Sequence, residues 1–194
     1  MPLGYATGKK AWREHPDADT DVLAIDVTNM ILNIPNLEKK LLGYQWFADQ
    51  ARLREDDITI GEDILVVGYP TGLTQGPTNH PIVRSGIIAT QIGSPFEDQV
   101  TGAGFTRRRS LRAFLIDGAT VPGASGSPVL LKPVSGRIIR GNVVLSVPPP
   151  LLLGIIAETK YTPVPATTAP AIGFANLGLA FDAETIKETI ELFF

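Results

Sequence analysis

The residues best suited to chemistry lie in one glycine- and serine-rich run, Gly123-Ala124-Ser125-Gly126-Ser127-Pro128. A nucleophilic serine needs a tight turn that exposes its hydroxyl and directs backbone N–H groups toward a developing oxyanion. Glycines on both sides of Ser125 permit such a turn, because glycine reaches backbone angles closed to other residues. An ordinary turn between two strands explains the same run, since Gly/Ser turns are common. The run by itself therefore indicates either a reactive serine or a plain turn.

The surrounding pattern predicts six strands and one helix. The strands are expected at 64–69, 82–92, 111–117, 128–131, 151–157 and 174–181. Asp182 is a good N-cap for the closing helix, with Glu184 in the first turn and Ile186, Ile190 and Phe193 along one face. We expect a long connector at 93–110, an extra hairpin at 137–145 and a Pro/Thr-rich loop at 159–170. The predicted fold class is all-β, a small closed antiparallel barrel with a C-terminal α-helix.

The residues around Ser125 resemble the nucleophile region of trypsin-like serine peptidases, especially the cysteine-free bacterial and Deg-type members. An aspartate and small residues, Asp117 to Pro122, precede the run, a strand follows it, and the chain contains no cysteine. The resemblance implies that Ser125 is the nucleophile and that the amides of Gly123 and Ser125 form the oxyanion hole. Ala124 and Ser127 stand where the family usually has Asn and Gly. The nucleophile elbow of α/β-hydrolases fits less well, since it needs a glycine at position 127 and a helix after it.

Other segments extend the resemblance along the chain. Residues 61–72 and 81–88 are similar to the first two strands of the family's second barrel, and 176–180 with the Asp182 helix to its closing strand and helix. The resemblance implies a trypsin-like barrel: a complete second barrel at 58–194, and at 1–57 a remnant of the first barrel with the linker. In that remnant the sequence predicts strands at 3–12 and 22–27 and one or two helical turns within 37–54.

Asp21 is the candidate acid. The segment Asp21-Val22-Leu23-Ala24-Ile25 resembles the strand that bears the family's triad aspartate. In that role Asp21 would accept a hydrogen bond from a histidine and stabilise the imidazolium. The alternative is a turn aspartate that precedes a strand. A calcium loop beginning at Asp17 is rejected, because its sixth position is Val22 and its twelfth is Thr28.

The histidine of the triad is the missing component. The family places it well before the aspartate, and the chain has only His15 and His80. His15 matches a non-catalytic His-Pro-Asp of the family, and His80 falls between the acid and the nucleophile, the wrong chain order. The chain then looks like a product that begins inside the first barrel, and we expect it to hydrolyse peptides poorly. Unpaired edges and exposed apolar faces of the first-barrel remnant predict self-association as a homo-oligomer.

Charge and hydropathy argue against nucleic-acid and membrane partners. The net charge is −3, and the one basic cluster, 107–112, has no interleaved aromatic residues, so no nucleic-acid partner is expected. The most apolar stretch, 143–157, is too short to span a bilayer and contains three prolines, so a soluble chain without a membrane segment is expected. No signal-peptide pattern, cofactor or metal is indicated. The expected partner is a peptide or protein substrate. The resemblance implies a small or apolar primary pocket, because Ala119 stands six places before Ser125, where family members that prefer basic residues have an acidic residue.

Two functions of different class stay open. The first is a serine-type endopeptidase that acts through an acyl-enzyme at Ser125. The second is a non-catalytic protease-like module that holds a peptide or a partner in its cleft.

Overall fold

The computed structural model describes residues 10–31, 34–36, 41–102, 105–118, 120–139, 142–144, 151–164 and 171–194. The strands are β1 (Trp12–Glu14), β2 (Leu23–Ile25), β3 (Asp63–Gly68), β4 (Ile82–Ile88), β5 (Phe96–Gly102), β6 (Phe105–Leu111), β7 (Ala113–Asp117), β8 (Pro128–Leu131), β9 (Arg137–Ile139), β10 (Asn142–Val144), β11 (Leu152–Val164) and β12 (Ala171–Asp182). The α-helices are α1 (Thr28–Ile31), α2 (Gln50–Glu55) and α3 (Ala183–Glu191), and short 3₁₀ turns occupy Tyr44–Trp46, Pro70–Gly72 and Gly76–Thr78.

Six strands close into an antiparallel barrel in the order β11-β12-β7-β4-β3-β8. They correspond to the six strands that the sequence predicts, so the predicted barrel with a C-terminal helix is confirmed. Apolar side chains that alternate along each strand fill the interior, as period-2 patterning requires. The largest fully buried ones include Ile64, Ile88, Phe114, Ile116 and Leu153.

Two segments expected to be irregular are strands. The predicted connector at 93–110 holds the hairpin β5–β6, in which Asp98 lies opposite Arg109. The charges of Asp98 and Arg109 are paired across the hairpin, which makes them compatible with a strand. The predicted loop at 159–170 is corrected over its first part, since β11 continues to Val164 and is rich in β-branched residues. Residues 165–170 lie outside the described part of the chain. The extra hairpin predicted at 137–145 is present as β9 paired with β10.

Helix α3 begins where predicted, but it buries a different face. Asp182 caps it by accepting from the Thr185 amide at 2.8 Å. The fully buried side chains are Ala183, Thr185 and Thr189, whereas Ile186 and Ile190 are only partly covered. Both buried hydroxyls are satisfied inside the helix, that of Thr185 by Asp182 and that of Thr189 by the Thr185 carbonyl, each at 2.8 Å. Satisfied threonines pack as small apolar side chains, which the apolar periodicity could not reveal.

The β1–β2 hairpin packs against α3 and the barrel wall. The strand predicted at 22–27 is shorter, Leu23–Ile25, and its neighbour Val22 is buried in a cluster with Leu111, Leu179 and Phe181. Other apolar side chains of this region face outward: Leu23, Ile25, Val27 and Met30 are all exposed. Self-association through this surface, and the division at residue 57, stay predictions. In the described part of the chain, no helix is both long and apolar enough to cross a bilayer.

Candidate active site

Ser125 lies in the connection between β7 and β8, which contains two consecutive tight turns, Val121–Ala124 and Ala124–Ser127. The Ala124 amide donates to the Val121 carbonyl, and the Ser127 amide donates to the Ala124 carbonyl, each at 3.0 Å. The third residue of each turn is a glycine with positive φ, +88° at Gly123 and +80° at Gly126. A type II turn requires this conformation at that position, which only glycine adopts without strain. The two glycines of the motif therefore shape the backbone that presents Ser125 to solvent, where it is exposed.

Contacts on both sides hold this connection, which we name the Ser125 turn (Val121–Ser127). On one side the Thr71 amide donates to the Pro122 carbonyl at 2.9 Å. On the other, the Gly126 amide donates to the Ile156 carbonyl at 2.7 Å, and the Ile156 amide donates back to Ser127 at 2.9 Å. The turn is thus fixed between the β3–β4 loop and strand β11.

The amides of Gly123 and Ser125 are available for a ligand. Among the hydrogen bonds of the described residues, neither amide has an acceptor. The N–H and C=O of a trans peptide point in opposite directions. Because the Pro122 carbonyl bonds to Thr71, the Gly123 N–H points away from the β3–β4 loop. The Ala124 carbonyl is directed into its own turn, so the Ser125 N–H points out of it. This arrangement is compatible with the predicted oxyanion hole.

The hydroxyl of Ser125 has a partner that sequence reasoning did not identify. Its Oγ donates to the backbone carbonyl of Ala157 at 3.1 Å. Ala157 lies in β11 at an irregularity of register, between Ile156 opposite Ala180 and Glu158 opposite Leu179. Such a bulge redirects backbone groups next to a functional site. No residue type signals this contact, because the acceptor is a main-chain oxygen.

Asp21 is exposed on the turn between β1 and β2. Its neighbour Val22 is buried in a cluster against which Ala157 also packs. The hairpin that carries Asp21 and the strand that contacts Ser125 therefore share one apolar cluster. Within the described residues no hydrogen bond joins the side chains of Asp21 and Ser125. Their assignment as acid and nucleophile stays a prediction.

The two histidines are placed elsewhere. His15 has a side chain only 7% exposed, and its Nε2 lies 3.3 Å from Oε2 of Glu188 on α3. Its Nδ1 accepts from the Asp17 amide at 3.1 Å, so both ring nitrogens are engaged. His80 is exposed in the β3–β4 loop, where its carbonyl accepts from the Gln75 amide. In the described chain neither ring contacts Ser125.

Four charged side chains form a closed network beside Ala157. Arg109 on β6 contacts Asp98 at 2.6 Å and Glu158 at 2.5 Å, and Lys160 contacts the same two carboxylates at 2.9 Å each. Partial burial opposes ionisation of Asp98, but hydrogen bonds from Lys160 and Arg109 outweigh it and lower its pKa. Burial also opposes ionisation of Glu158, but hydrogen bonds from Arg109 and Lys160 outweigh that effect and lower the pKa of Glu158. The network ties the β5–β6 hairpin to β11 one residue beyond the Ser125 contact.

Two further predictions concern the pocket and metals. Ala119, the basis of the predicted small or apolar primary pocket, lies outside the described residues, so that pocket stays a prediction. Among the residues that the structure describes, no group of three His, Asp or Glu side chains could hold a metal ion.

The closed six-stranded antiparallel barrel with its C-terminal helix is the architecture of the trypsin-like class. The family model of the trypsin-like peptidase domain matches residues 9–139, which is more than half of the chain and includes both Asp21 and Ser125. The chain belongs to that family. A comparison with curated proteins finds no match.

Proposed function

We propose that Ser125 is the nucleophile of a serine-type endopeptidase that forms an acyl-enzyme, and that these 194 residues do not supply its general base. The observation that carries the proposal is the Ser125 turn itself. It exposes the Ser125 hydroxyl, and the backbone amides of Gly123 and Ser125 in the same turn lack an acceptor in the described chain. Membership of the trypsin-like peptidase family supports the same assignment.

The proposed reaction uses each group of the turn. The Ser125 Oγ attacks the carbonyl carbon of a peptide bond, while its proton passes to a base. The carbonyl oxygen becomes an oxyanion that the Gly123 and Ser125 amides stabilise. Collapse of the tetrahedral intermediate breaks the C–N bond, the base returns the proton to the leaving amine, and an acyl group remains on Ser125. Water then attacks the ester carbonyl while the base takes its proton, and the base returns that proton to the Ser125 Oγ as the acyl group leaves as a carboxylic acid. Asp21 would orient the base and stabilise its cationic form.

Neither of the two histidines is placed to act as the general base for Ser125. Both ring nitrogens of His15 are engaged with Glu188 and Asp17. The Ser125 hydroxyl donates to the Ala157 carbonyl, which does not take up its proton at neutral pH. We therefore expect the 194-residue chain alone to cleave peptides far more slowly than an enzyme with a complete triad. Removing one triad member leaves only the contribution of the oxyanion hole and of substrate binding.

That same hydrogen bond favours a second candidate function, a non-catalytic module that binds peptides in the cleft. A serine hydroxyl that donates to a backbone carbonyl is stabilised by that hydrogen bond but is not activated as a nucleophile, because the carbonyl does not accept its proton. The two candidates differ in whether Ser125 becomes reactive when a base is provided.

The test is to label the chain with a fluorophosphonate in the absence and presence of added imidazole, with intact-mass detection. Imidazole is the side chain of the missing residue and can diffuse to an exposed serine. We expect negligible labelling without imidazole and a labelling rate that rises with its concentration. The matched controls are Ser125→Ala, which removes the nucleophile, and Ser135→Ala, which removes another exposed serine outside the Ser125 turn.

Labelling that depends on imidazole, disappears in Ser125→Ala and persists in Ser135→Ala supports the peptidase proposal. No labelling of Ser125 at any imidazole concentration would overturn it in favour of the binding module. Rapid labelling without imidazole would instead show that a base is already present, which contradicts the argument on His15 and His80.

A further inference from the structure

The β5–β6 hairpin is a two-stranded sheet that pairs with no barrel strand among the described residues. Packing holds its base: Phe96 and Leu111 lie opposite each other and pack in the apolar cluster that also includes Val22 and Ala157. Beyond that base no ladder of backbone hydrogen bonds joins the hairpin to the barrel, so side-chain contacts must set its orientation. Those contacts reach two neighbours, strand β11 and the turn between β1 and β2.

Asp98 and Arg109, which lie opposite each other in the hairpin, tie it to β11. Arg109 contacts Glu158 at 2.5 Å, and Asp98 contacts Lys160 at 2.9 Å. The side chains of Arg109 and Asp98 are only 13% and 14% exposed, so salt screens these charges less than it screens charges on an open surface. β11 belongs to the closed barrel and accepts the hydroxyl of the Ser125 turn one residue before Glu158. The hairpin is therefore fixed to the strand that contacts the candidate nucleophile.

Arg107 ties the same hairpin to the turn that carries Asp21, which we name the Asp21 turn (Asp17–Val22). Arg107 lies two residues before Arg109 on β6, and alternate residues of a strand project from the same face. Its guanidinium forms an ion pair with the carboxylate of Asp19. The turn is closed by its own hydrogen bonds, among them the Asp19 amide donating to the carboxylate of Asp17 at 3.0 Å. An ion pair at Asp19 therefore restrains the whole Asp21 turn.

We propose that Arg107 and the Asp98–Arg109 pair are positioning residues, which hold the Asp21 turn at one distance from the Ser125 turn by way of the β5–β6 hairpin. The inference rests on the proposed function, in which Asp21 and Ser125 act on the same base, and neither arginine touches a reacting atom. The two contacts act in series, because one fixes the hairpin to β11 and the other fixes the Asp21 turn to the hairpin. Loss of either contact should therefore widen the range of distances between the two turns, and loss of both should have no larger effect.

Arg108 provides the matched control on the same strand. It lies between the two arginines, so its side chain projects from the opposite face of β6. That side chain is exposed and has no hydrogen-bond or ion-pair partner in the described part of the chain. Arg108→Gln therefore removes the same charge as Arg107→Gln without breaking either contact. Because the Arg107 side chain is 59% exposed, its ion pair adds little to stability, and we expect Arg107→Gln to change the geometry of the site more than the stability of the chain.

The experiment measures the distance between the two turns on the full 194-residue chain. The chain contains no cysteine, so Asp21→Cys and Ser125→Cys introduce the only two sites for nitroxide spin labels, and both positions are exposed. Pulsed electron–electron double resonance then gives the distribution of distances between the labels. We expect a single narrow distribution in the labelled chain and in the same chain with Arg108→Gln.

The narrow distribution should be lost in either of two variants that break one contact each. Arg107→Gln separates the hairpin from the Asp21 turn. Asp98→Asn/Arg109→Gln separates the hairpin from β11 without changing the net charge, and it leaves Glu158 and Lys160 paired with each other. The combination of all three substitutions should broaden the distribution no further, and Arg107→Lys, which keeps the cation, should restore it. Circular dichroism verifies that each variant is folded.

A second measurement uses imidazole-dependent labelling of Ser125 in the chain without cysteines. If Asp21 orients the imidazole, Asp21→Asn should lower the labelling rate in the wild type. The same substitution should have no further effect in Arg107→Gln, because the displaced turn has already lost that contribution. A purely stabilising role of Arg107 would leave the effect of Asp21→Asn unchanged.

The distance distributions decide the inference, whatever becomes of the peptidase proposal. A distribution that stays narrow in Arg107→Gln overturns the positioning role even if Ser125 is labelled in imidazole. A broadening that Arg108→Gln reproduces also overturns it, because the loss of a charge alone would then be the cause. A narrow distribution that Arg107→Gln abolishes, and that Arg108→Gln and Arg107→Lys retain, supports it even if Ser125 is never labelled. If the charge-neutral double variant does not fold, Arg107→Gln alone decides, since it removes only an exposed contact.

Discussion

The substitution Gly123→Ala tests whether the Ser125 turn is built as described. Gly123 has φ +88°, and an added Cβ would lie 2.8 Å from the Thr71 nitrogen and 3.3 Å from the Tyr69 carbonyl oxygen. The contacting atoms belong to backbone, which cannot swing aside as a flexible side chain does. The substitution therefore combines a strained backbone angle with a collision against the β3–β4 loop.

The two effects can be estimated separately. An L-residue at positive φ costs about 1–2 kcal/mol relative to glycine. Relief of the collision requires the loop to move and breaks the hydrogen bond from the Thr71 amide to the Pro122 carbonyl, which contributes about 1 kcal/mol. Gly123→Ala should thus destabilise the chain by about 2–3 kcal/mol. Gly61 has a similar φ of +90° but open space around an added Cβ, so Gly61→Ala suffers only the strained angle and should lose about 1–2 kcal/mol.

The assay is urea unfolding followed by circular dichroism, with the free energies of unfolding taken from linear extrapolation. The expected difference between the two alanine variants is about 1 kcal/mol, the contribution of the lost hydrogen bond. Equal losses at the two positions would refute the reasoning, because they would mean that Thr71 does not press against the Ser125 turn. A larger loss in Gly61→Ala would refute it as well.

Three further predictions follow from other parts of the chain. Asp182→Ala removes the buried acceptor of the Thr185 amide and hydroxyl and should cost about 2 kcal/mol in urea unfolding, more than Asp182→Asn; equal losses would contradict the capping role. Phe114→Ala empties a fully buried position of the barrel and should cost about 3–5 kcal/mol; a loss below that of Asp182→Ala would contradict the packing. Because the folded chain lowers the pKa of Asp98, the unfolded chain takes up that proton first as pH falls. The contribution of Asp98 to stability is therefore complete above the unfolded pKa of about 3.9 and is lost as pH falls toward the lower folded pKa. Unfolding free energies measured from pH 7 to pH 3 should therefore fall less steeply in Asp98→Asn than in the wild type, and parallel curves would contradict the network.

The barrel was predictable because its strands carry apolar residues at period 2 and end at clear turn residues. Ile64 and Val66 of β3 are buried as that pattern requires, and β8 has the predicted bounds, Pro128–Leu131. The β5–β6 hairpin was missed because its inward positions include Asp98 and Arg109, which neutralise each other. The apolar pattern cannot show that these two charges, eleven residues apart, will lie opposite each other and pair.

The sequence predicts the turn that carries Ser125, but it does not predict the hydrogen-bond partner of the Ser125 hydroxyl. The spacing of Gly123, Ser125 and Gly126 indicates a turn with positive φ at the glycines, and both glycines have it. The acceptor of the Ser125 hydroxyl, the Ala157 carbonyl, is a backbone atom positioned by a register irregularity in β11. The helix α3 shows the same limit, since the buried threonines depend on a cap and not on an apolar pattern.

The most direct test of the central claim is a crystal structure of the chain after fluorophosphonate treatment in imidazole. The account predicts a phosphonyl group bonded to the Ser125 Oγ, with one phosphonyl oxygen accepting hydrogen bonds from the amides of Gly123 and Ser125. The hydroxyl contact with the Ala157 carbonyl would then be lost. A phosphonyl group on another residue, or an oxygen directed away from both amides, would contradict the assignment of Ser125 as a nucleophile within an oxyanion-binding turn.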